Sequence, residues 1–186
     1  HRNQIKTPNG AKWLSVPIKN KSDMVMFNET LINYETTWQR DHCNLIKNNY
    51  QKTPYFNDYY QDIENIIMTE YKSLTELSTD LIRYFMTQLD IRTTIAYSSE
   101  LSESWENGAD KIFSILDNTN ATGYLTGSGP GSKKYIKEED FNRLSINLQW
   151  QNYECKEYNQ LFGDFIPYLS VVDLLFNHGK KSGEVI

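Results

Sequence analysis

Three groups of residues in this 186-residue sequence have the types and spacing to do chemistry. The first is Ser170, Asp173 and Asn177, three and four residues apart and so on one face of a helix that is otherwise Val171, Val172, Leu174, Leu175 and Phe176. A carboxylate beside an amide can take a proton and orient its donor, provided it lies within hydrogen-bond reach of the reacting group. Ser170-Val171-Val172-Asp173 also has the form of a capping box, which would explain the first two residues and leave only Asn177. The second group is the loop Gly127-Ser128-Gly129-Pro130-Gly131-Ser132, followed by Lys133, Lys134 and Tyr135. Glycines let backbone amides approach a phosphate closely. The loop fits neither GxGxxG nor a Walker motif, and on spacing alone a flexible surface turn is the stronger account. The third group is Arg2, Asn3 and Lys6, where a guanidinium fork suits carboxylate or phosphate and an exposed basic stretch is the ordinary explanation.

Other chemistry has less support. His42 falls in a helical stretch and His178 at a helix end, where a cation suits the dipole. Neither stands in a Ser/His/Asp order, and a satisfied or solvent-facing histidine is the stronger reading of each. No HExxH or other spacing of metal ligands occurs, so no metal or cofactor is expected. The net charge of −5 has no concentrated basic counterpart, which disfavours nucleic acid as a partner. Cys43 and Cys155 form no CxxC pair or zinc pattern and read as free thiols in a reducing cytoplasm. No run approaches the roughly 18 apolar residues that a membrane span needs.

The elements that must position these residues follow from periodicity. Leu14, Val16 and Ile18 mark a strand over 12–18, with Asn9-Gly10 as a hairpin turn before it and Pro17 limiting it to an edge or ending it early. Helices are predicted at 36–50 on Trp38, Leu45 and Ile46, around Tyr59, Ile63, Ile66 and Ile67, and along Leu74, Leu77, Leu81, Phe85 and Leu89. Ser73-Leu74-Thr75-Glu76 reads as the capping box of the last of these. Thr93–Tyr97 is a short β-prone run, and Trp105, Ala109, Ile112, Phe113 and Leu116 share a helix face beyond it. Gly123-Tyr124-Leu125 reads as a strand entering the glycine-rich loop, and Ser145–Gln151 alternates as a strand should. A short apolar helix at about 170–178 is closed by Gly179. Strands alternating with helices predict an α/β fold with a largely parallel central sheet flanked by helices, in one domain spanning 1–186. The helical block at about 36–90 would be an insertion or a subdomain. Thirteen Tyr and eight Phe supply much of the burial.

Several blocks in order resemble the WbqC-like protein family of bacterial surface-polysaccharide gene clusters. They include Arg2-Asn3 with Ile5-Lys6-Thr7-Pro8-Asn9-Gly10, Trp13 to Pro17, Trp38 before His42, and Tyr50 before Pro54-Tyr55-Phe56. Tyr124-Leu125-Thr126-Gly127 with Gly131 and Tyr135 follows, then Tyr158-Asn159-Gln160 and the most specific block, Phe165 to Asn177 before Gly179. An opening segment resembling Gln-Pro-x-Tyr-Leu-Pro, with a following strand, is absent, so the N-terminal strand–helix part of the family domain is expected to be missing. The resemblance implies a cytoplasmic transferase in O-antigen biosynthesis, acylating an amino sugar carried on a nucleotide; a non-catalytic sugar-nucleotide or partner-binding module is the alternative. It implies Asp173 and Asn177 as catalytic residues. It implies Arg2, Asn3, Lys6, Tyr124, Gly127, Gly131 and Tyr135 as substrate contacts, for a small-molecule substrate such as a nucleotide-activated sugar.

Overall fold

A computed structural model describes residues 2–19, 25–101 and 108–186. The chain divides into two compact units, residues 1–92 with 155–186 and residues 93–154. The described residues carry two two-stranded sheets among eight α-helices, so helix and strand are mixed, as expected. The only parallel pairing among them is one strand pair of the second unit, and a larger parallel central sheet is not among them.

The first unit opens with an antiparallel hairpin, β1 (Arg2–Thr7) and β2 (Gly10–Ser15), closed by the pairing of Thr7 with Gly10. Gly10 sits at φ +97°, where any side chain would be strained. Pro17 ends the strand as anticipated, and Ile18 makes only an isolated bridge to Ile32. Three helices follow, α1 (Trp38–Tyr50), α2 (Phe56–Met68) and α3 (Leu74–Gln88). The Ser73 hydroxyl accepts from the Glu76 amide while the Glu76 carboxylate accepts from Ser73, the reciprocal box the sequence predicts. Trp38, Ile46, Tyr50, Phe56, Ile63, Leu74 and Leu77 are buried with Ile5 of β1 and Leu175 and Phe176 of α8 (Val171–His178) in one core. The helical block shares this core with β1 and α8 and supplies most of it, through the apolar face of each helix.

In the second unit Thr93–Tyr97 forms no strand, since β-prone residues need a neighbouring strand to pair with. A single turn of helix, α4 (Ser98–Leu101), comes next. The helix predicted beyond it is α5 (Gly108–Asn118), with Leu116 buried; Trp105 lies outside the described residues. Strand β3 (Gly123–Gly127) pairs parallel with β4 (Asn147–Gln151), and the crossover between them carries the short helices α6 (Pro130–Tyr135) and α7 (Glu138–Arg143). Phe141 is the centre of this unit, 1% exposed, with Tyr124 stacked at 5.6 Å and Phe113 tilted against it at 5.0 Å.

Candidate functional site

The hairpin edge strand β1 brings the C-terminal helix and α1 together. The backbone N–H of Ser170, at the head of α8, donates to the Gln4 carbonyl at 2.8 Å. Two residues on, the Lys6 N–H donates to the Tyr50 hydroxyl at 2.7 Å, and that hydroxyl donates in turn to Asp173 Oδ2 at 2.7 Å. Tyr158 donates to the other carboxylate oxygen, Oδ1, at 2.9 Å. Asp173 is completely buried and accepts from a tyrosine on each side. The capping-box alternative is not what forms. Ser170 Oγ accepts from the Val172 amide at 3.4 Å, and the Asp173 side chain turns inward to the tyrosines instead.

Lys6 is almost fully buried as well, and its Nζ donates to Gln160 Oε1 at 3.0 Å and to the Asp164 carbonyl. Gln160 Oε1 also accepts from the Ile166 amide at 2.9 Å, and Gln160 Nε2 donates to the Ile166 carbonyl at 3.0 Å. Burial pushes the Asp173 carboxyl above the usual range, against the pull of the two tyrosine bonds and the Lys6 charge. Burial and the neighbouring carboxylate push the Tyr50 and Tyr158 hydroxyls up, so both remain donors at neutral pH. A buried lysine and a buried aspartate thus face one polar cluster without touching each other. Tyr158 is half buried, whereas Tyr50 and Asp173 are fully buried. Asn177 spends its amide on the Asp173 backbone carbonyl, 2.8 Å away in its own helix.

Beside the start of β1 lies a pocket of about 280 Å³. Its walls are Leu14 and Val16, the inner faces of α1 to α3 and Val172, with Arg2, Asn3, His42, Ser78 and Ser170 as its polar residues. The Arg2 guanidinium stacks over the Trp13 ring at 4.4 Å, and Asn3 Oδ1 accepts from the Gln4 amide at 2.8 Å. His42 packs edge-on to Trp38, with centroids 5.2 Å apart. Desolvation lowers its pKa, partly opposed by the Ser15 backbone, so the imidazole is neutral at pH 7. Trp38 itself is 5% exposed, and its indole Nε1 is buried with no acceptor among the described residues.

These features make a pocket with an apolar interior, a cation and an amide in its lining, and a neutral imidazole in its wall. Residues 1–185 match the WbqC-like protein family. The chain belongs to that family. A second comparison finds a Mycobacterium tuberculosis relative described as "Uncharacterized protein Rv1507c". It is 31% identical over 189 residues, spanning 100% of this chain and 80% of that protein. No solved structure gives a significant match.

The nine residues singled out in this WbqC-like sequence fall into two sets. Arg2, Asn3, Lys6, Asp173 and Asn177 lie in the first unit, where Arg2 and Asn3 line the cavity and Lys6 and Asp173 join the buried cluster. Tyr124, Gly127, Gly131 and Tyr135 lie in the second. There Tyr124 is partly buried against the core, and the Lys134 ammonium sits 5.2 Å from the Tyr135 ring. Neither positive φ nor crowding demands glycine at 127, 129 or 131: added Cβ atoms at 129 and 131 meet nothing within 4 Å, and one at 127 only Ser132 Oγ at 3.8 Å. Among the described residues no group of three His, Cys, Asp or Glu could hold a metal ion, and no helix is long and apolar enough to cross a membrane.

Sequence reasoning missed Tyr50, Tyr158 and Gln160, which make the Asp173 and Lys6 cluster, and undervalued Trp38 and His42. A usable signal existed for the last two. They are four residues apart on α1, and a histidine one turn from a core tryptophan on an amphipathic helix faces the same interior.

Proposed function

We propose that the chain is a transferase of bacterial surface-polysaccharide (O-antigen) biosynthesis that acylates an amino sugar carried on a nucleotide. The observation that supports this reading is the apolar pocket with a neutral imidazole in its wall. Acyl transfer needs an apolar seat for the acyl group and a base for the attacking amine. His42 is that base. The amine nitrogen forms a bond to the carbonyl carbon of an activated donor such as a thioester, the bond to the thiolate breaks, and His42 carries the amine proton to the departing sulfur. Arg2 and Asn3 contact the polar end of the substrate, Arg2 taking a carboxylate or phosphate. Asp173 and Asn177 act as positioning residues: Asp173 through Tyr158, and Asn177 by fixing the turn of α8 that carries Asp173. Lys6 holds the Gln160 segment against β1. The second unit, taken by itself, carries a separate candidate phosphate contact in the backbone at Gly127 and Gly131, with Tyr124 and Tyr135 as its side-chain members.

The test is a turnover assay with thioester donors and nucleotide-linked amino sugars. His42→Gln should lower kcat by about a hundredfold or more while the sugar nucleotide still raises the Tm. Unchanged turnover in that variant removes His42 as the base. A second reading, a non-catalytic module that holds the sugar nucleotide, is favoured by one specific observation: the Lys6 ammonium and both Asp173 oxygens are already taken by internal partners. It predicts binding without turnover by the wild-type chain.

A further inference from the structure

Residues 159–169 run to the head of α8 with neither helix nor strand. Both ends are fixed at Asp173: Tyr158 donates to its Oδ1 at 2.9 Å, and the Ser170 carbonyl accepts from its N–H at 2.9 Å. A surface loop whose ends are held together in this way is a compact Ω-type loop, a form that often carries function. None of its residues is buried, and none of its apolar side chains joins the core of the first unit. What holds it down is Lys6. That buried ammonium donates into the loop, to Gln160 Oε1 at 3.0 Å and to the Asp164 carbonyl.

Two features oppose the closed position. The backbone carries Phe162 at φ +63° and Tyr168 at φ +59°, a region where bulky residues are genuine outliers. Burial of the two rings does not offset that strain, because they are 38% and 64% exposed. Lys6, for its part, has no carboxylate within ion-pair distance among the described residues, and a desolvated charge is costly unless it is paired. Opening relaxes the strain and rehydrates the ammonium, in exchange for hydrogen bonds that water can replace. It takes no core side chain with it. We propose that residues 159–169 are a strap over Lys6 that lifts locally, with the core intact, and bares the ammonium. Access of any anion to this fixed cation on β1 is then set by the strap. The inference concerns access alone and stands apart from the transferase reading.

The test acetylates the full chain with sulfosuccinimidyl acetate at neutral pH, reads each lysine by mass spectrometry and follows hydrogen exchange in the same buffer. The exposed Lys12 gives the unhindered rate, and the slowest amides of α1 report the population that unfolds globally. Lys6 should react more slowly than Lys12, yet about a hundredfold or more faster than that population allows. In urea below the unfolding transition the Lys6 rate, relative to Lys12, should stay nearly flat while α1 exchange climbs steeply, because local opening exposes little surface. Ile32→Val, a buried core change, should speed the α1 amides several-fold and leave Lys6 unchanged. Gln160→Ala removes an acceptor of Lys6 and should speed its acetylation about tenfold. A Lys6 as reactive as Lys12 would overturn the strap, since the ammonium would not be covered. So would a Lys6 rate that follows α1 through the urea series or in Ile32→Val, because Lys6 would then be reached only by unfolding. An unchanged Lys6 rate in folded Gln160→Ala would show that the loop is not held there and would also overturn it. The urea series on the wild type decides alone if either variant fails to fold.

Discussion

Asp173 and His42 are both withdrawn from water, and the charged form of each opposes the fold, His42 as pH falls and Asp173 as pH rises. The His42 pKa lies below its unfolded value of 6.5. The unfolded chain therefore binds more protons as pH falls through 6.5, and the stability present above that pH is progressively lost below it. Comparing urea midpoints at pH 7 and pH 5, His42→Gln should lose less stability on acidification than the wild type. Asp173 has its pKa raised above 3.8. Here the native state holds the proton more tightly, so stability declines as pH rises from 3.8 through the raised value. Asp173→Asn should flatten that decline when urea midpoints are followed upward from about pH 3.5. It should also lower stability overall, by about 1–3 kcal/mol, because an amide cannot accept from Tyr50 and Tyr158 on both sides. Asp173 was legible in the sequence as a polar residue on an apolar helix face. Its partners were not, because Tyr50 and Tyr158 lie 123 and 15 residues away and tyrosine is common in this chain.

Helices were the most readable elements, since each of α1 to α3 carries its own apolar stripe and needs no partner to announce its period. Strands were less so. Ser145–Gln151 alternates and does pair, whereas Thr93–Tyr97 has the right residue types and does not. The outcome depends on neighbours that local sequence does not specify. The caps are local, and their worth can be measured directly. Ser73→Ala removes one half of the box at the start of α3 and should cost about 1 kcal/mol in chemical denaturation. Gly179 closes α8 at φ +64° and ψ −142°, and a Cβ there would lie 2.6 Å from the Tyr55 ring. Gly179→Ala combines backbone strain with that clash, so the expected loss is about 2–4 kcal/mol. A Gly179→Ala midpoint indistinguishable from wild type would show that the end of α8 rearranges without cost.

At the scale of the molecule, the two units have separate cores, built around Phe176 with Ile63 in one and Phe141 in the other. Phe141→Ala should cost its own unit about 3–5 kcal/mol. Hydrogen exchange should then show faster amides in α5 and β4 while α1 and α2 keep their protection; uniform acceleration would mean that the units unfold as one. This division was invisible in the sequence, which has no linker composition at either boundary and reads as one alternating α/β run. The first unit is also discontinuous. Its hairpin strand is completed by residues 155–186, and the bond from Lys6 to Asp164 closes a loop of 158 residues. During synthesis at about 5–20 residues per second, β1 therefore waits on the order of ten to thirty seconds for the Gln160 segment and α8 to leave the ribosome. Over that interval Lys6 and the apolar faces of α1 to α3 lack their final cover, so the nascent chain presents a long-lived substrate for chaperones.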